Sequence, residues 1–100
     1  MRLSDDALRG RTVITFDGLA IGEVTAVFLD SEDWHVEALQ LRLRKDVADR
    51  IGADRGIFHA GTLEIPTGLI QSVGDAVVLS AAVDDLRELL PGGSESARVH

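Results

Sequence analysis

Apolar and polar positions along this chain change their period several times, and each change marks an element. "RTVIT", residues 11–15, is rich in β-branched side chains and predicts a short strand. Asp17-Gly18 follows as a turn signal, because glycine takes positive φ without a Cβ clash. From Ile21 to Leu29 both alternating sets are apolar: Val24, Ala26 and Phe28 on one, Ile21, Val27 and Leu29 on the other. Gly22 inside this strand predicts a bulge or a sharp bend. A strand apolar on both faces suits a small, strongly coiled barrel covered by a helix or a partner chain.

"DSEDW", residues 30–34, is a polar connection. In "HVEALQLRLR" the alternation is clean, with Leu39, Leu41 and Leu43 opposite Gln40, Arg42 and Arg44, so a half-buried antiparallel strand is expected. Residues 45–56 read as a helical turn or two ending near Gly52, then a loop. "IFHAGTLEIP" returns to extended structure, with Gly61 as a bend and Pro66 as a stop. A single turn leads through "TGLIQSV" into a short strand, Gly74-Asp75 turns the chain, and "AVVLS" forms the last strand. Ser80 then reads as an N-cap with Asp84 and Asp85 in the first turns, and Val83, Leu86, Leu89 and Leu90 form the stripe of an amphipathic helix. Pro91-Gly92-Gly93 ends it, and residues 91–100 have the composition of a disordered tail. Residues 1–90 thus form one domain.

Composition narrows the function classes. The net charge of −7 opposes non-specific nucleic-acid binding and favours solubility. Without cysteine there is no disulfide and no thiolate metal site, which fits a cytoplasmic protein. No apolar run approaches the roughly 20 residues that span a bilayer, although association with the side of a membrane complex remains compatible with this chain. Only Phe16, Phe28, Trp34 and Phe58 are aromatic, so platforms for stacked bases are scarce.

The order of "LRGRTV", "FDGLAIGEV", "TAVFLD", "VEALQLRL", "LEIPTGLIQSV" and "GDAVVLS" resembles the PRC-barrel family over about residues 8–80. Gly10, Asp17-Gly18, Ile21-Gly22, Val24, Asp30, Pro66 and Gly74-Asp75 with Val77, Val78 and Leu79 carry the likeness. Many members hold an aspartate near the position of Ala26, and any role of that acid is not carried over. The resemblance implies a mainly β fold, a small PRC-type β-barrel of about five to six antiparallel strands, and the C-terminal helix read from residues 80–90 extends beyond the minimal barrel. It also implies a non-enzymatic protein-interaction or adaptor module, since members act as assembly surfaces in photosynthetic reaction centres, ribosome maturation and archaeal division. Neither the reaction-centre membrane anchor nor the partner domain of the ribosome-maturation factor accompanies this stretch, so neither specific role is expected.

No residue set makes a catalytic centre, and no cofactor or metal is implied. "DGLAIG" precedes a strand rather than a helix N-terminus, so it is a turn rather than a phosphate loop. His35, His59 and His100 lack partners at metal spacing; His35 and Glu37 share a face, but two ligands do not make a zinc site. Asp5-Asp6 and Asp84-Asp85 are helix-start or solvent-facing acids, and Ser80 has no adjacent base. Two surfaces stand above this background. Ile21, Val27, Leu29, Val83, Leu86, Leu89 and Leu90 offer more apolar face than one small barrel needs, which points to a homodimer or to cover within one subunit. Arg42, Arg44, Lys45, Arg50 and Arg55 form a basic region interleaved with Asp46, Asp49 and Asp54. That mixture favours a solvated salt-bridge surface, with an RNA- or ribosome-associated accessory role as the alternative to a protein partner.

Overall fold

The computed structural model describes residues 3–52 and 61–89. Arg55, Phe58, His59, Leu90, His100 and the tail expected at 91–100 lie outside the described residues. Among the described residues no helix is long and apolar enough to cross a membrane. The chain opens with α1 (Asp5–Leu8), whose Ser4 cap accepts the Ala7 N–H at 3.0 Å. Asp5 and Asp6 occupy its first turn, where the helix dipole favours acids. Then follow β1 (Thr12–Ile14), β2 (Ala20–Leu29), β3 (Val36–Leu43), α2 (Lys45–Ile51) and β4 (Thr62–Pro66). A 3-10 turn, Thr67–Leu69, leads into β5 (Ile70–Val73), β6 (Val77–Leu79) and a second 3-10 segment, Val83–Leu89.

The strands make one mixed sheet in the order β4-β3-β2-β1-β6-β5, not closed into a barrel. β4 and β5 are its edges, yet only the three-residue turn Thr67–Leu69 separates them in sequence, so the sheet must curl until its two edges approach at that corner. Pro66, the last residue of β4, has no N–H to offer a closing ladder. The expected all-antiparallel pairing is corrected at β1–β6, which run parallel with Val13 opposite Val77. These two strands are joined by the whole of β2 to β5 rather than by a hairpin, so no tight turn dictates opposite directions.

Core side chains form rows across the ladders. Val27, Leu39 and Ile65 stand in one register line, and Val24, Leu41 and Leu63 in the next. Ile21, Val24 and Val27 all meet the core at a spacing of three, which a regular strand cannot achieve. The register of β1 against β2 shifts so that Ile21 is extra, and that of β2 against β3 shifts so that Thr25 is extra. Each bulge inverts the alternation that follows it. The expected grouping of Val24 with Phe28 as barrel filling is corrected for this reason: Phe28 is half-buried and outside the core cluster. Gly22, between Val13 and Leu43 in the ladder, is the bend the sequence predicts. A Cβ there would overlap the Arg42 carbonyl oxygen.

α2 buries Val47, Ala48 and Ile51 and packs against Val83–Leu89, which also meets β4. The predicted amphipathic α-helix over 80–90 is corrected to a 3-10 segment beginning at Val83. Ser80 does not cap it; its N–H donates to the Leu69 carbonyl at 2.8 Å, while Asp85 accepts the Ala82 N–H at 3.1 Å. The i, i+3 pair Val83 and Leu86 is fully buried, because 3-10 geometry stacks such positions.

Two outcomes follow for chemical denaturation. Gly22→Ala loses about 2–4 kcal/mol by forcing β2 from β3, whereas Gly18→Ala, strained at φ 86° but with open space around it, loses about 1–2 kcal/mol. Leu86→Ala loses about 2–5 kcal/mol through a cavity under the 3-10 segment. Equal costs at the two glycines, or a neutral Leu86→Ala, contradict this packing.

Candidate interaction surface

Among the described residues, the large apolar side chains that the fold leaves in water lie at the two ends of β2. At its start, Phe16 is 69 % and Leu19 39 % exposed, on either side of the Asp17-Gly18 turn. The turn is held from inside by Thr15, the one buried polar residue described. Its hydroxyl donates to Asp17 Oδ1 at 2.5 Å and accepts the Leu19 N–H at 3.2 Å. Phe16 N–H donates to the Ala81 carbonyl at 2.9 Å, tying the turn to the chain after β6 and leaving the ring outside.

At the far end of β2, Leu29 (47 %) and Val36 (37 %) face each other across the ladder and Trp34 is 75 % exposed. The connection between them is built from its own acids. Asp30 Oδ1 accepts the Glu32 N–H at 2.7 Å, and the Asp30 carbonyl accepts the Trp34 N–H at 2.8 Å. Asp30 N–H donates to the His35 carbonyl at 2.9 Å, while Asp33 Oδ1 accepts the His35 N–H at 3.2 Å. Asp33 Oδ1 also lies 2.5 Å from His35 Nδ1. These bonds hold Trp34 at φ 66°, a left-handed backbone that costs a non-glycine residue about 1–2 kcal/mol. The acids spend themselves on the turn and the indole is what projects.

Asp30, Asp33 and His35 bring one ligand atom each within 4.8 Å of the others, the one such group among the described residues. The Asp-x-x-Asp-x-His spacing in a tight turn was the sequence signal for it; the expected same-face pair was His35 with Glu37. All three donors serve the turn and none is buried, so the group is described as the scaffold of the tip.

The seven apolar residues singled out from the sequence divide. Ile21, Val83 and Leu86 are fully buried in the core of the single chain, and Val27 and Leu89 pack half-buried against it. Leu29 is exposed, and Leu90 lies outside the described residues. Phe16, Leu19, Trp34 and Val36 were not among the seven; a tryptophan inside the acidic "DSEDWH" was the signal that could have found the tip.

The basic region is met by carboxylates. Arg42 pairs with Glu23 directly across the β2–β3 ladder, Arg44 lies 3.8 Å from Asp46, and Arg50 lies 3.4 Å from Asp84. Arg87 adds a bond from Nη2 to the Arg50 carbonyl at 2.9 Å, and Lys45 is exposed at the first residue of α2. Arg42 and Arg44 share an open hollow over Gly22 with Thr12 and Glu23. Such solvent-exposed pairs are each worth at most about 1 kcal/mol.

Asp33 gives the tip a titratable reporter. The His35 side-chain bond, and next the His35 backbone N–H, hold its carboxyl below the ordinary value of 3.8, against a small opposing desolvation. A depressed folded-state value means that the turn favours the ionised form. This preference is therefore present above 3.8 and lost as pH falls through the depressed value. Carboxyl carbon NMR is expected to place the Asp33 midpoint below 3.8 and to return it towards 3.8 in His35→Ala. An unchanged midpoint contradicts the described tip.

A search of curated proteins returns no match. A scan against family models matches the PRC-barrel domain over residues 2–86, which takes in all six strands and most of the second 3-10 segment. Domains of this kind are generally non-catalytic. With the match spanning most of the 100 residues, the chain belongs to the PRC-barrel domain family.

Proposed function

We propose that this PRC-barrel domain is a non-enzymatic protein-interaction module that assembles as a homodimer and joins a further protein partner. The observation that carries this reading is the pairing of a self-contained core with exposed apolar side chains at both ends of β2. A core that still needed a partner would leave its stripe open; here the stripe of Val83 and Leu86 is already covered. Among the described residues, the exposed Phe16, Leu19, Leu29, Trp34 and Val36 are large, apolar and fixed on or beside ordered turns, the kind of surface that gains most from burial against another protein. The buried polar inventory supports a binding role over a catalytic one. Among the described residues Thr15 is the single buried polar side chain, and its bonds serve the turn.

The dimer is assigned to the Phe16–Leu19 end. Light scattering at high micromolar concentration is expected to return twice the chain mass of 10.7 kDa, and Phe16→Asp, exposed and without a core role, is expected to return the single-chain mass. A single-chain mass for the unaltered protein at that concentration overturns the homodimer.

A further inference from the structure

We infer that the β2–β3 hairpin tip is a docking knob whose Trp34 enters an apolar pocket rimmed by arginine or lysine on a partner protein. The inference rests on the interaction-module reading and names the partner chemistry for one of its two surfaces. It does not depend on the dimer.

Charge is what selects the occupant. From Thr12 to Leu41 the sequence holds six acids (Asp17, Glu23, Asp30, Glu32, Asp33 and Glu37) and no lysine or arginine. Four of the six stand at the tip or one residue beyond it, around Trp34, Leu29 and Val36. The knob is therefore an apolar centre with an acidic rim. A phosphate backbone or an anionic lipid surface would be repelled by that rim. A second copy meeting it tip to tip would bring the same four acids against it. A basic rim around an apolar pocket satisfies both parts at once, with the charges guiding encounter and the indole supplying most of the affinity.

Preorganisation is the second support. Trp34 is not on a floppy loop: its N–H is bonded to the Asp30 carbonyl, and Asp30 is bonded back to His35 across the turn. The left-handed backbone at φ 66° points to a position where tryptophan is kept at a local cost that a simple turn residue would avoid. A side chain already held in place loses less freedom on binding.

The test uses the full chain carrying a photoreactive phenylalanine analogue at position 34, expressed in its native host, with a parallel chain carrying the analogue at position 16. The cross-linked protein is identified, purified and titrated against the unmodified chain. Trp34 is the single tryptophan, so its emission reads the contact directly. The expected result is a blue shift on binding, an affinity that falls as salt rises, and about a thirtyfold loss in Trp34→Asn. Asparagine tolerates the left-handed backbone, so that variant removes the indole and keeps the turn. Glu32→Lys is expected to slow association and flatten the salt dependence.

The inference is overturned if position 34 cross-links only to a second copy, or if the blue shift arises with phosphatidylcholine–phosphatidylglycerol vesicles alone. It is equally overturned if the captured protein binds Trp34→Asn as tightly as the unmodified chain. Capture from position 16 but not from position 34 removes the knob and leaves the module reading standing. Capture of no protein from either position removes both.

Discussion

The close crossing of β2 and β3 at Gly22 is the constraint on which the rest of the molecule depends. Ten residues of β2 must serve β1 on one side and β3 on the other while a small sheet curls around its own core. A regular strand would present every second side chain inward and would hold the sheet too flat. Two one-residue shifts, at Ile21 and Thr25, deliver Ile21, Val24 and Val27 to the core instead. The missing Cβ of Gly22 lets the backbone of β3 come in beneath the bend. Once β2 is bent in this way, Ile21, Val24 and Val27 serve the core and its two ends run out past it. The exposed Phe16 and Leu19 at one end, and Leu29, Trp34 and Val36 at the other, are consequences of that geometry rather than accidents of a surface.

Much of this could be read from the residues alone, and the misses share one physical origin. Asp17-Gly18, the bend at Gly22, the alternation of Leu39, Leu41 and Leu43, and the helical turns ending at Gly52 are local signals, and they are where the sequence places them. Long-range consequences were not local. The face of Phe28 depended on a bulge at Thr25, the direction of β6 on the path of the intervening strands, and the 3-10 geometry of Val83–Leu89 on α2 and β4. The apolar stripe read equally as a face shared in a dimer or as cover within one subunit. What it covers is this chain's own sheet, and the exposed Phe16, Leu19 and Trp34 sit in turns and connections, where a pattern search for strand and helix faces does not look.

Charge is arranged to match. Along β3 and α2 the arginines are met at short range by Glu23, Asp46 and Asp84, so that side of the molecule answers its own charges. The hairpin tip has carboxylates without arginine or lysine near in sequence, and an indole at its centre. An acidic, aromatic projection on a stable sheet is suited to recognition by another protein, and the domain's function is proposed from that contrast. In the proposed module the sheet supplies rigidity and the turns supply the contact.

The most direct measurement of this account is an amide NMR spectrum of the isotopically labelled chain in its host's extract, compared with the same chain in buffer. Broadening confined to residues 29–36, and unaffected by ribonuclease, is the result the account predicts. Broadening centred on Arg42 and Arg44 that ribonuclease abolishes would contradict it, and so would a spectrum that the extract leaves unchanged.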